Sequence, residues 1–405
     1  MNQNCLKNQF TVWMIQLCAV LTIFFFSACV SQTSKAPSRA SVHDPIQALH
    51  QEIERLQKKY NIPGMSVAIL QNQQTIFAEG FGYADIENKI PATADTPYNI
   101  ASLTKPFAAA ILMKLVEEGK LDLNAEMAAL LKDTQLRYGK RTIDGYENAC
   151  NEIRTASRDT SFEYAFLLKD YRCDTTRIEV KHHLTHTAQG EPGAAYRYNG
   201  FLFNFISPVA EEVSGKKFSD LLVDNIIRPL NMNRSVPSIN NSIRQQVLVD
   251  RAKYYKMGFG RDFVSSSYPV KLSSSAGMIS TVLDLSKFDI AMDRNLIVSK
   301  ESKAIMFTPT ISNSGKPLPY GLGWFVQNHK GKKLVWHYGW APKAYSSLIL
   351  KVPEEEVTLI LLANSDGASA PFRLGAGNVL RSPFAVAFLN LFTDLNIFQQ
   401  KEEAK

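Results

Sequence analysis

Apolar residues recur at helical spacing at Ile46, Leu49, Ile53 and Leu56, and this predicts an amphipathic helix over residues 43–60. The pattern then shortens. Residues 65–70 and 75–78 are apolar runs on either side of Gln71 to Gln74, and they read as a hairpin. Near the other end, residues 334–337, 346–351 and 357–362 read as three more strands, with a turn over 351–356 between the last two. Ser382-Pro383 is a helix start ahead of the apolar run 384–392. Strands from the two ends of the chain therefore fit one antiparallel sheet, with the last helix lying on it. The middle, about 106–300, reads mostly as helices and loops. The class expected is α+β.

Bulk composition narrows the picture. The chain has 405 residues, enough for one large domain or two. Its 45% apolar and 20% charged content is that of a globular protein. The net charge of +7 is scattered, with no basic run interleaved with aromatics, so no nucleic-acid partner is expected. The glycines form no phosphate-binding loop. His182 and His186 are four apart, but no carboxylate follows at zinc-site spacing, so no metal and no cofactor are expected.

The N-terminus reads as a targeting segment. Lys7 is the only charge before an apolar run from Phe10 to Val30, which contains Phe26-Ser27-Ala28-Cys29. Small residues before a Cys resemble a bacterial lipoprotein signal, which implies cleavage and lipidation at Cys29. An uncleaved membrane anchor and plain secretion are the alternatives, since about 20 apolar residues can span a bilayer. Residues 30–44 would then be a tether, 45–395 the folded domain and 396–405 a polar tail. All three readings place the domain outside the cytoplasm, in the cell envelope or beyond it. Of the five cysteines, only Cys150 and Cys173 lie beyond the targeting segment. In an oxidising compartment they either form a disulfide or remain separate thiols.

The candidate chemistry begins at Ser102-Leu103-Thr104-Lys105, which opens the apolar run 106–116. A Ser and a Lys three apart at a helix start share one face. The Lys can take the Ser proton, and the first free N–H groups of the helix favour developing negative charge. This is a buildable acyl-transfer nucleophile. Two later segments bear on it: Pro192 to Gly200, containing Tyr196-Arg197-Tyr198-Asn199-Gly200, and Trp336-His337-Tyr338-Gly339-Trp340.

Together these segments resemble the serine β-lactamase-like superfamily, in the branch holding class C β-lactamases, D-Ala-D-Ala carboxypeptidases, D-aminopeptidases and esterases. That family carries S-x-x-K, Y-x-N and K-T-G or H-x-G in this order. Four further stretches match in sequence order: Leu184-Thr185-His186-Thr187, Pro229-Leu230-Asn231-Met232, Ser275 to Thr281, and Tyr320-Gly321-Leu322-Gly323-Trp324. The resemblance covers about residues 45–365. It implies a β-lactamase-like fold: an antiparallel sheet flanked by helices, plus a mostly helical lobe, with the site where they meet. Ser102 would be the nucleophile, Lys105 its base and Tyr198 a second proton-transfer group, eased toward deprotonation by the nearby lysine. His337-Tyr338-Gly339 takes the K-T-G position, and the N–H groups of Trp340 and Ser102 would form an oxyanion hole. Gly339 would let substrate approach the strand. His337 in place of Lys removes a permanent cation from the cleft. His186 corresponds to a structural histidine of the family.

Two departures from the family stand out. The Asn expected two after the tyrosine falls on Gly200, while Asn199 is one residue early. Between Leu123 and His182 the chain also carries an insertion, about 135–175, with Cys150 and Cys173. The chain thus reads as an extracytoplasmic serine hydrolase acting through a Ser102 acyl-enzyme on a small-molecule or peptide ester or amide. The alternative is a non-catalytic module that senses peptidoglycan or β-lactams.

Overall fold

A computed structural model describes residues 44–138, 141–158, 168, 171–172, 177–238, 245–258, 262–268 and 271–397. The expected signal segment, Cys29, most of the tether, Cys173 and residues 398–405 lie outside the described residues.

The first helix is α1 (Pro45–Lys59), which buries Leu49, Ile53 and Leu56 and ends on Lys58 and Lys59. Each of these side chains contributes on the order of 2 kcal/mol by leaving water. Strands β1 (Gly64–Gln71) and β2 (Gln74–Asp85) follow as the expected hairpin. Asn72 and Gln73 both have positive φ, 50° and 58°. That is the pair of left-handed residues a two-residue turn needs to match the strand twist. β2 runs well past Ala78 because its second half is half-exposed, and its polar and glycine residues hide the strand from an apolar pattern.

β3 (Ile90–Pro91) closes one edge, and β4 (Phe325–His329), β5 (Lys332–Ala341), β6 (Tyr345–Val352) and β7 (Val357–Ala363) complete the sheet. The order is β4-β5-β6-β7-β1-β2-β3, antiparallel throughout. N- and C-terminal strands therefore meet where Val67 pairs with Leu361 and Ala68 with Ile360.

The central strands β6 and β7 are buried along their whole length. Their near-continuous apolar sequence follows from being covered on both faces. Met65, Val67, Ile69, Leu359 and Leu361 pack with α1 and with Phe384 and Phe388 of the last helix. The alternate residues Ala68, Leu70, Ile360 and Leu362 join the larger core with Phe107 and Phe288. Phe107 lies on α2 (Thr104–Glu117) and Phe288 on α3 (Val282–Asp293), and the two rings stack 3.8 Å apart. The last helix, α4 (Pro383–Phe392), has Ser382 as its cap, the Oγ accepting from Ala385 N. α2 buries 11 of its 14 residues, which is why its sequence is apolar all round.

The described residues of the insertion include a short hairpin (Gln135–Tyr138 and Arg141–Asp144) and the helix Tyr146–Ala156. Cys150 is disulfide-bonded, and the Tyr171 hydroxyl donates to its sulfur at 3.0 Å.

Candidate active site

Ser102 sits in a one-turn 3-10 segment, Ala101–Leu103, that runs directly into α2. Ala101 has φ of +48°, a left-handed conformation that costs a non-glycine residue on the order of 1 kcal/mol or more. The surroundings hold it there. Thr104 Oγ1 donates to Ala101 O at 2.8 Å, Ser347 Oγ to Ile100 O at 2.7 Å, and Ile100 N to Met278 O at 3.0 Å. β5 presses against the same turn. A Cβ on Gly339 would fall 2.3 Å from Ile100 O and 3.0 Å from Ala101 Cβ, so only glycine lets the strand come this close.

Lys105 lies in the first turn of α2 and is completely buried. Its Nζ is 2.8 Å from Ser102 Oγ and 3.1 Å from Ser275 O. It lies 5.0 Å from the ring centre of Tyr198 and 5.4 Å from that of Phe203. Among the described residues no carboxylate pairs with it. Burial without a compensating anion pushes the amine well below the ordinary lysine range. Burial therefore favours the neutral amine over the ammonium, relative to an exposed lysine.

Tyr198 stacks on Phe325 at 5.7 Å and lies against His186 at 4.4 Å. Its hydroxyl is buried and makes no hydrogen bond of normal geometry. Burial first, and Tyr338 next, push this phenol well above its ordinary range, while Ser102 opposes the shift. The easier deprotonation expected from a nearby lysinium is thus corrected. The cation that would drive it is itself discouraged by burial, and the phenol keeps its proton.

His337 is fully buried on β5. Its Nδ1 donates to Tyr338 O at 2.7 Å, so Nε2 is the acceptor and takes the Tyr320 hydroxyl at 2.9 Å. Burial, then Lys105, hold the imidazole well below its usual range. Both ring nitrogens are thus bonded inside the protein, so the substrate contact implied by its motif position is also corrected. Trp340, three residues on, is 47% exposed, and Asp366 accepts from its indole at 3.5 Å.

His182, His183 and His186 have internal duties. Glu179 N donates to His182 Nδ1 at 3.0 Å, Tyr146 Oη lies 2.8 Å from His183 Nε2, and Asn199 N donates to His186 Nδ1 at 3.1 Å. Asn199 caps the turn Gly200–Phe203, its Oδ1 accepting from Phe201 N and Leu202 N. Its side chain is thus committed, as its early position suggests. Tyr320 was legible only as part of a signature. Asn204, whose Oδ1 accepts from Ser275 Oγ, carried no sequence signal. A cavity of about 920 Å³ lies elsewhere, lined by His182, Pro192, Ile305 and Asn313 among others, and contains none of the three candidate catalytic residues.

Known proteins share this architecture. The family model described as Beta-lactamase matches residues 49–381. Protein flp of Staphylococcus aureus (strain MW2) is 26% identical over 336 residues, covering 81% of this chain and 65% of that protein. The chain thus spans slightly less than two thirds of that relative's length. Penicillin-binding protein 4* of Bacillus subtilis (strain 168) is 25% identical, covering 77% of this chain and 70% of that one. Among solved structures, the octameric penicillin-binding protein homologue from Pyrococcus abyssi is similar with a TM-score of 0.63 and 25% identity, over 86% of this chain and 78% of that one. The D-amino acid amidase from Ochrobactrum anthropi SV3 shares the fold, with a TM-score of 0.60 and 22% identity over 86% and 99%. With the family model matching most of its length, the chain belongs to the Beta-lactamase family of serine hydrolases.

Proposed function

We propose that this protein is an extracytoplasmic acyl hydrolase in which neutral Lys105 activates Ser102. The observation that carries the reading is the buried, carboxylate-free Nζ of Lys105 at 2.8 Å from Ser102 Oγ. As Oγ bonds to the substrate carbonyl carbon, Lys105 Nζ takes its proton. The N–H groups of Ser102 and Trp340 hold the oxyanion. The C–O or C–N bond to the leaving group then breaks, and the leaving group takes a proton from the Tyr198 hydroxyl, which Lys105 re-protonates. Water, deprotonated along the same path, cleaves the acyl-enzyme and restores Ser102. A phenol held in its protonated form suits the donor role, and a depressed lysine suits the acceptor role.

With His337 buried and neutral, the β5 motif supplies no cation for a substrate carboxylate. This favours neutral esters and amides over penicillin-like anions. An extracytoplasmic location is supported by the run Phe10 to Val30 with Ser27-Ala28-Cys29, which suits lipid anchoring, and by the disulfide at Cys150. The test is hydrolysis of p-nitrophenyl esters by purified protein. Ser102→Ala should lower kcat by about 10³-fold or more. Near-wild-type turnover in that variant would refute the nucleophile.

A second reading, a sensor that is acylated without turnover, draws on Gly200. Persistence of a benzylpenicillin adduct in intact-mass spectra over hours would favour it.

A further inference from the structure

The N–H of Trp340, one of the two oxyanion donors, sits on a thinly supported stretch of β5. Among the described residues β4 pairs with β5 only over Lys332 to Trp336, so from His337 onward β6 alone pairs with it. The residue before Trp340 is Gly339, and glycine has the least restricted backbone of any residue. It is required there, because a Cβ would strike Ile100 O. The close approach to the nucleophile turn therefore leaves a loosely held peptide where a donor has to be aimed.

A serine near the other end of the chain supplies the missing support. Ser369 is buried, and its Oγ donates to Gly339 O at 3.0 Å. Gly339 O and the Trp340 N–H belong to one planar, trans peptide group, so they point in opposite directions. A hydroxyl that holds the oxygen from one side thus aims the N–H on the other. It also polarises the group, since hydrogen bonds in a chain strengthen one another. The turn that carries Ser369 is fixed independently of this bond. Ser346 Oγ donates to Ser365 O at 2.7 Å and accepts from Ala368 N at 3.3 Å, while Asp366 Oδ2 accepts from Lys343 N at 2.7 Å.

We propose that Ser369 is a positioning residue for the oxyanion hole, holding the Gly339–Trp340 peptide so that its N–H meets the charge developing on the substrate carbonyl oxygen. This rests on the Ser102 hydrolase reading above. Acylation and deacylation both pass through an oxyanion, so a misaimed N–H slows both steps and spares the binding that precedes them.

Ser369→Ala removes one oxygen atom. With p-nitrophenyl butyrate it should lower kcat about tenfold and leave KM within twofold, because outright loss of an oxyanion donor costs about 10²–10³. Phenylboronic acid gives a second readout. Its boron bonds to Ser102 Oγ while Lys105 takes the proton, and the tetrahedral adduct places a boron-bound oxygen in the hole. Its inhibition constant should rise in Ser369→Ala by the factor that kcat falls. Ser369→Thr keeps the hydroxyl and should restore both values. Ser369→Cys keeps a weaker donor, should lie between, and serves if the alanine variant does not fold. Values within twofold of wild type in the folded variants, a lower kcat without weaker boronate binding, or a folded threonine variant as impaired as alanine would overturn the role. Full activity of Ser102→Ala is a different signature and would overturn the nucleophile.

Discussion

Among the described residues two lysines are fully buried, Lys105 and Lys351, and they face opposite surroundings. Lys351, on β6, lies 2.6 Å from Asp289 and 3.0 Å from Asp293, both on α3. Burial would lower its pKa, but Asp289 and then Asp293 more than compensate, and the net direction is upward. Asp289 is itself held above its usual range by burial, so its charge depends on the lysine beside it. Lys105 has a serine hydroxyl and a backbone carbonyl, and its pKa falls. The same side chain, equally buried, is thus favoured as a cation when it faces carboxylates and as a neutral amine when it does not. The ion pair ties the sheet to α3. The lone amine lies over the nucleophile.

Replacing each lysine by methionine separates the two roles. Lys105→Met should lower kcat by about 10³-fold or more without lowering the melting temperature, because no buried anion is left behind. Lys351→Met should do the reverse. It strands Asp289 in the core, so stability should fall by roughly 3–5 kcal/mol while turnover per folded molecule is retained. Similar activity losses in both variants would dissolve the distinction.

The geometry that brings Ser102 to Lys105 depends on β5 lying close to the nucleophile turn. Gly339→Ala places a Cβ against Ile100 O and Ser347 Oγ and should shift that turn. A displacement of this kind costs on the order of 10² in kcat/KM. Unchanged kinetics would show that the close approach is incidental.

The two lysines also give opposite pH dependences of stability. Between the lowered value of Lys105 and its ordinary 10.5, the unfolded chain binds one more proton, so stability should rise with pH across that window. For Lys351 the folded state keeps the extra proton above 10.5, and stability should fall as pH rises there. Denaturant unfolding of wild type and Lys105→Met between pH 7 and 10 isolates the first term. The variant should lose part of the upward slope, and identical slopes would mean that Lys105 is not depressed.

A smaller effect concerns substrate charge. With His337 neutral and enclosed, matched p-nitrophenyl esters with and without a distal carboxylate should differ by about tenfold in favour of the neutral one, equivalent to about 1.4 kcal/mol. A preference for the anionic ester would point to a cation elsewhere in the cleft.

Much of this is legible in the sequence. Helix α1, the first hairpin and the strands at 346–351 and 357–362 were readable because one pattern, helical spacing or a short apolar run, governs each. The last helix was readable from Ser382-Pro383. Ser102, Lys105, Tyr198 and Gly339 were readable as motifs, and the structure brings them together. Strand β4 was missed because its five residues, Phe325–His329, alternate too briefly to stand out beside the Tyr320-to-Trp324 signature. The hydrogen bonding of His337 and the state of Tyr198 were hidden for a different reason. A motif position does not reveal whether a ring nitrogen is already spent on Tyr320 and Tyr338 O, or whether burial outweighs a neighbouring amine. Asn204 was invisible because its partner, Ser275, is 71 residues away.

The central claim is that neutral Lys105 takes the Ser102 proton. The most direct measurement is the pH dependence of the rate of Ser102 acylation, followed by the p-nitrophenol burst in wild type and in Lys105→Met. Wild type should rise to a plateau with an apparent pKa well below 10.5, and the residual rate of the variant should lack that inflection. An inflection near 10.5 in wild type, or the same inflection in both proteins, would contradict the account.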